Sequence, residues 1–182
     1  MELKGECRLD ADRATAWAAL NDTELLRACI PGCENITPTA EHAYELTISV
    51  AIGPVKARFK GRMTLTDIVA PERYTINFEG QGGVAGFARG DAQVSLQQVD
   101  AHATTLTYAA TAQVGGKLAQ LGSRLIDAAA IATTEKFFAS FAGELAARSG
   151  APPAGAPRAT ARAGLWSKFL AFLRRLFKTS RS

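Results

Sequence analysis

The chain has 182 residues, enough for one domain with a sizeable core plus short appendages, and a formal net charge of +4. The charge is unevenly divided, because residues 1–148 carry 14 Lys/Arg against 17 Asp/Glu, whereas residues 149–182 carry seven Lys/Arg and no acid. The amino terminus lacks the pattern of a signal peptide and three cysteines are an odd number, so we expect a reduced, cytosolic protein rather than a disulfide-stapled one.

The first forty residues predict one strand and two short helices. Glu2–Leu9 alternates weakly between apolar and polar residues and is typical of a strand. Asp10 is a plausible N-cap for a helix over residues 11–20, and a second short helix is predicted at Thr23–Cys29. Pro31 and Gly32 then predict a turn.

Strict alternation predicts a run of strands from residue 44 to residue 108, with turns at hairpin spacing, so the sheet should be antiparallel. Cations on the second of these strands should face outward. They usually mark a solvated sheet face, but they could also dock an acidic partner or lie toward anionic lipid. These cations are Lys56, Arg58, Lys60 and Arg62.

A long helix is predicted from residue 117 to about residue 148, where there is no proline and much alanine. Its apolar face changes sides: Leu118, Leu121, Leu125 and Ala129 share one side, whereas Phe138, Phe141 and Leu145 lie about half a turn away. We therefore expect the helix to bend or break between residues 122 and 132. The element order predicts an α+β fold in which a curved antiparallel sheet grips one long helix, with a cavity between them.

Residues 80–90, GQGGVAGFARG, hold five glycines and predict either a mobile flap near the cavity mouth or a plain bulge between two strands. The segment lacks the lysine and hydroxyl residue of a phosphate loop and the glycine spacing of a dinucleotide fold.

No catalytic group of residues is apparent, so we do not expect an enzyme. His42 and His102 lie in polar strand-edge contexts. Cys29 and Cys33 are spaced four apart, but a zinc site usually has tighter pairs and four ligands, so packed thiols are favoured and no metal is expected.

The last 34 residues read as a linker and a tail. Residues 149–163 are rich in Pro, Ala and Gly and predict a flexible linker. On a helical wheel, residues 164–182 separate an apolar arc of roughly 160° from a face whose only charges are cations, which favours a helix lying in an anionic membrane interface. A helix docked on its own protein or in a partner's groove is the alternative, and nucleic acid fits the broad apolar face less well than lipid. The residues predicted to bind the membrane are Leu165, Trp166, Lys168, Phe169, Leu170, Phe172, Leu173, Arg174, Arg175, Leu176, Phe177 and Lys178.

Three short runs carry a family resemblance: CIPGCE at 29–34, IGPV at 52–55 and GGKLAQLGSRLI at 115–126, together with Phe137 and Phe138. Through them residues 1–148 resemble the CoxG family of carbon monoxide dehydrogenase, which lies within the START-like (SRPBCC) helix-grip superfamily. The resemblance implies a cytosolic accessory protein of molybdenum-containing carbon monoxide dehydrogenase or a related hydroxylase, linked to its recruitment to the inner face of the cell membrane. It also implies a hydrophobic cavity rather than a fixed catalytic apparatus.

The implied cavity turns a set of inward residues into candidates for ligand contact, although each could simply fill the core. Tyr108 could give a hydrogen bond to a ligand carbonyl. A quinone (menaquinone or ubiquinone) is the most plausible ligand, since the respiratory electron acceptor is dissolved in lipid. A pure membrane adaptor or assembly factor without a cavity ligand is the alternative, and an enzyme of the same superfamily is the least favoured. The candidate ligand-binding residues are Phe59, Met63, Tyr74, Phe78, Tyr108, Leu118, Leu121 and Leu125.

Overall fold

The computed structural model describes residues 1–148. Within them the chain forms β1 (Glu2–Leu9), α1 (Arg13–Leu20), α2 (Thr23–Cys29), β2 (Cys33–Ala40), β3 (Ala43–Ile52), β4 (Val55–Val69), β5 (Arg73–Gln81), β6 (Phe87–Asp100), β7 (Ala103–Gly115) and α3 (Ser123–Arg148). Single 3-10 turns lie at Gly83–Ala85 and Ala119–Leu121. The predicted linker at 149–163 and the tail helix at 164–182, with every predicted membrane-binding residue, lie outside the described residues.

The strands form one antiparallel sheet in the order β1-β7-β6-β5-β4-β3-β2. Neighbours from β2 to β7 are joined by hairpins, and β1 adds to the far edge by pairing with β7. The sheet curls around the long helix, so the predicted α+β arrangement is confirmed. Inward and outward residues also follow the predicted alternation, with Phe59 buried and its neighbours Arg58 and Lys60 exposed.

Two predictions near the amino terminus need correction. The first helix begins at Arg13, and its N-cap is Asp12 rather than Asp10, because the Asp12 carboxylate accepts hydrogen bonds from the backbone N–H and the hydroxyl of Thr15 at 2.9 and 2.6 Å. Strand β2 was not predicted. It is an edge strand with one buried residue, Ile36, so its apolar alternation is too weak to recognise.

The long helix differs from its prediction at its start. A break lies at Gly122, whose φ of +84° separates the turn at Ala119–Leu121 from α3, so residues 117–122 are not part of the helix. From Ser123 onward the helix is uninterrupted, and the predicted change of apolar face is wrong. Leu125 is 39% exposed, whereas its neighbour Ile126 is 8% exposed. With Ile126 as the inward residue, the buried side chains of α3 fall within an arc of about 100°.

The core consists of two apolar clusters at opposite ends of the domain. The first, which we call the helical cluster, lies where α1, α2 and the carboxyl-terminal half of α3 meet the sheet, and is centred on Leu9, Leu106 and Phe141. The second, which we call the flap cluster, consists of Phe59, Ala85, Leu118 and Ile126. An ion pair between Arg148 and Asp22 joins the end of α3 to the N-cap of α2. The two clusters bracket the middle of the sheet.

Candidate functional site

Small residues cover the inner face of the sheet between the two clusters. Across the paired strands Ala92 lies opposite Ala110, and Gly90 lies opposite both Ala112 and Phe78. Met63 pairs with Phe78 on the neighbouring strands, and both side chains keep intermediate exposure although they lie on the inner face. Large residues at both ends and small residues in the middle leave room above the sheet. We call this space the central compartment.

The helix above the compartment contributes to the same space. The backbone of α3 comes close to β1 at one edge of the sheet and to β3 near the other edge. It therefore bridges a curled sheet, and its middle turns are built from small residues, AAAIATT at 128–134. A helix of small side chains held over small sheet residues suits an apolar ligand rather than a filled core.

The predicted ligand-binding residues do not form one group. Met63 and Phe78 lie in the central compartment, whereas Phe59, Leu118 and Leu121 belong to or pack against the flap cluster. Tyr74 is buried in the helical cluster, with its ring edge-on to Trp17 at a centroid distance of 5.3 Å. Leu125 lies on the surface. The structure thus brings Met63 and Phe78 together and places the others at the two ends or outside; their contact with a ligand stays a prediction.

Tyr108 lies at the edge of the helical cluster. Its ring stacks on Phe138 at 5.3 Å, and its hydroxyl covers Gly5, where a Cβ would lie 2.4 Å from the hydroxyl oxygen. Burial raises the pKa of the Tyr108 hydroxyl, and the neighbouring Cys7 and Glu135 raise it further. The phenol therefore stays neutral at physiological pH and keeps a proton to donate.

Sequence reasoning missed Asp127. Among the described residues its Oδ1 is the one buried side-chain oxygen or nitrogen without a hydrogen-bond partner. Asp127 precedes Leu145 by 18 residues, which is five helical turns, so the two lie on the same line of α3, and Leu145 is 1% exposed in the core. A carboxylate on the inner face of the helix is a polar group available to a ligand. Its spacing from Leu145 was the signal that could have found it.

The glycine-rich segment is a short, closed connection. Residues 80–81 and 87–90 belong to β5 and β6, so the flap consists of residues 82–86 only. It is held by its own hydrogen bonds, from Gly82 N–H to Gly86 O at 2.8 Å and from Ala85 N–H to Gly82 O at 3.1 Å. Leu118 N–H donates to Ala85 O at 3.0 Å, and Gly82 lies against the Phe59 ring. The flap therefore covers the end of the domain that contains the flap cluster.

A groove of about 840 Å³ lies on the opposite, outer face of the sheet. Its lining is polar and charged, with Arg62, Glu79 and Asp91 among its residues, and Arg89 donates two hydrogen bonds to Gln113 in it. Such a lining suits water or ions rather than an apolar molecule. The predicted apolar ligand therefore belongs on the inner side.

The described residues contain no group of three or more His, Cys, Asp or Glu side chains that could hold a metal ion. Cys29 is buried, and this burial raises the pKa of its thiol, consistent with a packed cysteine. Within residues 1–148 no helix is both long and apolar enough to cross a bilayer.

Comparison with known proteins adds to this geometry. The sequence model of the CoxG family of carbon monoxide dehydrogenase matches residues 5–146. A search of curated proteins by sequence found no match.

Solved structures with the same fold are numerous. A conserved protein from Geobacillus kaustophilus superposes with a TM-score of 0.76 at 29% identity, covering 81% of this chain and 96% of that one. A START superfamily protein from Mycobacterium smegmatis gives 0.63 at 14% identity, covering 81% and 98%. The Zhui aromatase/cyclase from Streptomyces sp. R1128 gives 0.61 at 14% identity, covering 86% and 99%. The last two likenesses concern the fold alone, which is the START-like helix-grip fold.

Proposed function

The chain belongs to the CoxG family of carbon monoxide dehydrogenase, and we propose that it carries a quinone in its central compartment between the membrane and carbon monoxide dehydrogenase or a related molybdenum hydroxylase. Family membership associates the chain with carbon monoxide dehydrogenase. The ligand, the tether and the direction of transport are the parts that we propose. In this scheme the chain carries out no redox step, since the partner enzyme reduces the quinone.

The central compartment is the observation that carries the proposal. A quinone head group is flat and largely apolar, and it needs a slot between side chains rather than a round cavity. Met63 and Phe78 lie side by side over Gly90, Ala92 and Ala110, and neither is fully buried. Inward apolar side chains that stay half-exposed favour a space that a ligand fills.

Two polar groups could read the oxidation state of such a ligand. Tyr108 keeps a phenolic proton, which a quinone carbonyl can accept. Asp127 has a carboxylate oxygen without a partner, and the hydroxyl of a reduced quinone can donate to it. A site with one donor and one acceptor would hold both forms, as a carrier that delivers one and removes the other requires.

Membrane residence is proposed for the tail, from its sequence. Residues 164–182 combine Trp166 and three phenylalanines with four cations among the predicted contact residues. That composition favours peripheral binding to the anionic inner face of the cell membrane.

The test is extraction of the full chain with organic solvent, followed by mass spectrometry for menaquinone and ubiquinone. Ala110 and Ala109 offer a matched pair, because Ala110 lies on the inner face opposite Ala92 whereas Ala109 lines a depression on the outer face. Ala110→Phe should abolish the bound quinone, and Ala109→Phe should retain it. Repeated absence of any quinone from the unmodified chain would contradict the carrier function.

The same pair separates a carrier from a pure adaptor or assembly factor. If Ala110→Phe leaves both recruitment of the enzyme and quinone-dependent turnover unchanged, the chain acts as an adaptor without a cavity ligand. Loss of turnover with intact recruitment would support the carrier.

A further inference from the structure

Three segments meet at the flap end of the domain. Residues 50–60 form the β3–β4 hairpin, residues 80–90 contain the flap, and residues 112–126 connect β7 to α3. The hydrogen bond from Leu118 to Ala85 joins the second and third segments, and Gly82 covers Phe59 of the first. A Cβ on Gly53 would lie 3.3 Å from the Leu125 side chain, so the hairpin also contacts the start of α3. We call these three segments together the basic end.

The charge of the basic end is strongly one-sided. Its segments carry six Lys/Arg and no acid, whereas the remainder of residues 1–148 carries eight Lys/Arg and 17 Asp/Glu. All six cations are exposed, and within the described residues only Arg58 forms an ion pair, with Glu34. The domain is negative overall, yet it presents one cationic end. The cations are Lys56, Arg58, Lys60, Arg89, Lys117 and Arg124.

Acidic residues concentrate at the opposite end. They occupy the turns and caps around α1 and α2 and the far hairpins, so the domain has a large dipole along the direction of α3. The residues at these turns and caps are Asp10, Asp12, Asp22, Glu24, Glu41, Asp67, Glu72 and Asp100. A field of this kind orients the domain before it touches a charged surface.

Exposed apolar side chains accompany the cations. Val84, at the tip of the flap, is 77% exposed, and Leu125 on the first turn of α3 is 39% exposed. A solvated sheet face needs cations only, and nucleic acid gains nothing from an aliphatic tip. Cations surrounding exposed aliphatic residues are the composition of a surface that rests on anionic lipid, with the apolar tips among the headgroups.

From these observations we infer that the basic end docks on an anionic bilayer, with Val84 and Leu125 at the lipid surface. The contact is separate from the tail, and it rests on the proposed function only for the reason why a bilayer is approached. It places the flap and the flap cluster against the lipid, where an apolar ligand would enter or leave. The chain's own tail is excluded as the occupant by charge, since residues 149–182 carry seven cations and no acid.

Chain length permits both contacts at once. The 26 residues of α3 span about 39 Å, so Arg148 lies that far from the basic end. The 15 residues at 149–163 can reach at most about 50 Å. A tail in the membrane and a basic end on the membrane are therefore compatible.

The test uses the full chain with the tail disabled by Leu170→Asp and Leu173→Asp and with Trp166→Phe. A tryptophan is placed at Val84 or, as the matched control, at Val99, which is 53% exposed at the acidic end. The probe is vesicles of phosphatidylglycerol and brominated phosphatidylcholine at low salt. Fluorescence of the Val84→Trp chain should be quenched, and fluorescence of the Val99→Trp chain should not.

Charge reversal gives the second measurement. Lys56→Glu, Lys60→Glu and Lys117→Glu together should weaken partition to these vesicles at least about tenfold. The control Lys4→Glu, Arg73→Glu and Lys136→Glu makes the same change in net charge on exposed residues elsewhere and should weaken it much less.

Equal quenching at both tryptophans, equal loss in both charge-reversed chains, or no vesicle binding by the tail-disabled chain would each overturn the inference. If the first triple variant instead loses capture of the partner enzyme while vesicle binding is absent throughout, the basic end is a protein interface, which also overturns it. Quinone extraction from the same chains is a separate readout, so failure here leaves the proposed carrier function standing.

Discussion

The backbone N–H of Leu118 donates a hydrogen bond of 3.0 Å to the carbonyl oxygen of Ala85. This single bond ties the flap between β5 and β6 to the connection between β7 and α3, and both residues belong to the flap cluster. Opening the flap therefore requires breaking this bond and exposing part of an apolar cluster. An unmodified flap should open rarely in water and more readily where lipid can receive the exposed surface.

The first prediction concerns Gly86 and Gly83. Gly86 has a φ of +112°, and a Cβ there would lie 1.9 Å from the Gly115 carbonyl oxygen, so Gly86→Ala must push the flap away from residues 115–116. Hydrogen exchange at the Leu118 amide should become at least tenfold faster, because the bond to Ala85 weakens.

Gly83→Ala is the control for this prediction. Gly83 also has a positive φ, of +59°, but a Cβ there meets nothing within 4 Å. It should cost about 1–2 kcal/mol of local strain without separating the flap from Leu118. Equal exchange rates in the two variants would show that the close approach of Gly86 does not hold the flap closed.

The second prediction concerns Asp127. Replacing a buried, unpartnered carboxylate by an apolar residue of similar size removes a desolvation penalty. Asp127→Leu should therefore raise the free energy of unfolding by about 1–3 kcal/mol, measured by urea denaturation. Quinone retention should fall at the same time, since the polar contact is lost. Glu135→Leu, on the exposed side of α3, should change stability by no more than about 0.5 kcal/mol. Destabilisation by Asp127→Leu would mean that the carboxylate has a structural role.

Sequence patterns predicted the order of elements and the faces of the strands because alternation is strong where one face is buried. The bounds of β1 and α2, and the inward Phe59 between outward Arg58 and Lys60, follow directly from it. The edge strand β2 escaped because it buries one residue only. Local pattern alone cannot recognise such a strand, whose existence depends on its neighbour β3.

The site was harder to predict than the fold. Leu125 and Ile126 are adjacent and equally apolar, so no pattern says which one turns inward, and choosing Leu125 produced the false change of helix face. The central compartment is made by small residues, such as Ala92 and Ala110, that pair across strands far apart in sequence. Their meeting depends on register, which the sequence does not display.

The third prediction concerns pH. Asp22 accepts hydrogen bonds from Arg148 and from the backbone N–H of Leu25, and these lower the pKa of its carboxyl group, with the Arg148 bond as the largest cause. A pKa below that of the unfolded chain stabilises the fold above about pH 4, and this contribution is lost as the pH falls through the folded-state value.

Arg148→Met removes the charge and the main donor. The stability difference between the unmodified chain and this variant should be largest between about pH 5 and pH 7 and should shrink toward pH 3. Chemical denaturation at several pH values measures it. Arg27→Met, which removes the exposed pair with Glu24, should cost at most about 0.5 kcal/mol at any of these pH values. A difference for Arg148→Met that does not change with pH would refute the assignment to Asp22.

The last prediction concerns the tail and follows from its sequence. Its apolar residues are one tryptophan, three phenylalanines and four leucines, and even partial burial at about 25 cal/mol per Å² yields several kcal/mol. Lys168, Arg174, Arg175 and Lys178 add on the order of 1 kcal/mol each at an anionic leaflet. Ordering so short a helix takes back a comparable amount, so binding should be moderate, reversible and weakened by salt.

Deleting residues 149–182 should leave a soluble domain that still retains its quinone, because both core clusters and the central compartment lie within residues 1–148. Its sedimentation with phosphatidylglycerol vesicles should fall sharply but not vanish at low salt, since the basic end keeps six cations. Leu170→Asp with Leu173→Asp in the full chain should give the same result by placing two charges in the apolar arc. In both cases the residual binding should disappear near 0.5 M salt, where charge attraction is screened within a few ångströms. If the truncated domain sediments as well as the full chain, the basic end rather than the tail is the main membrane anchor.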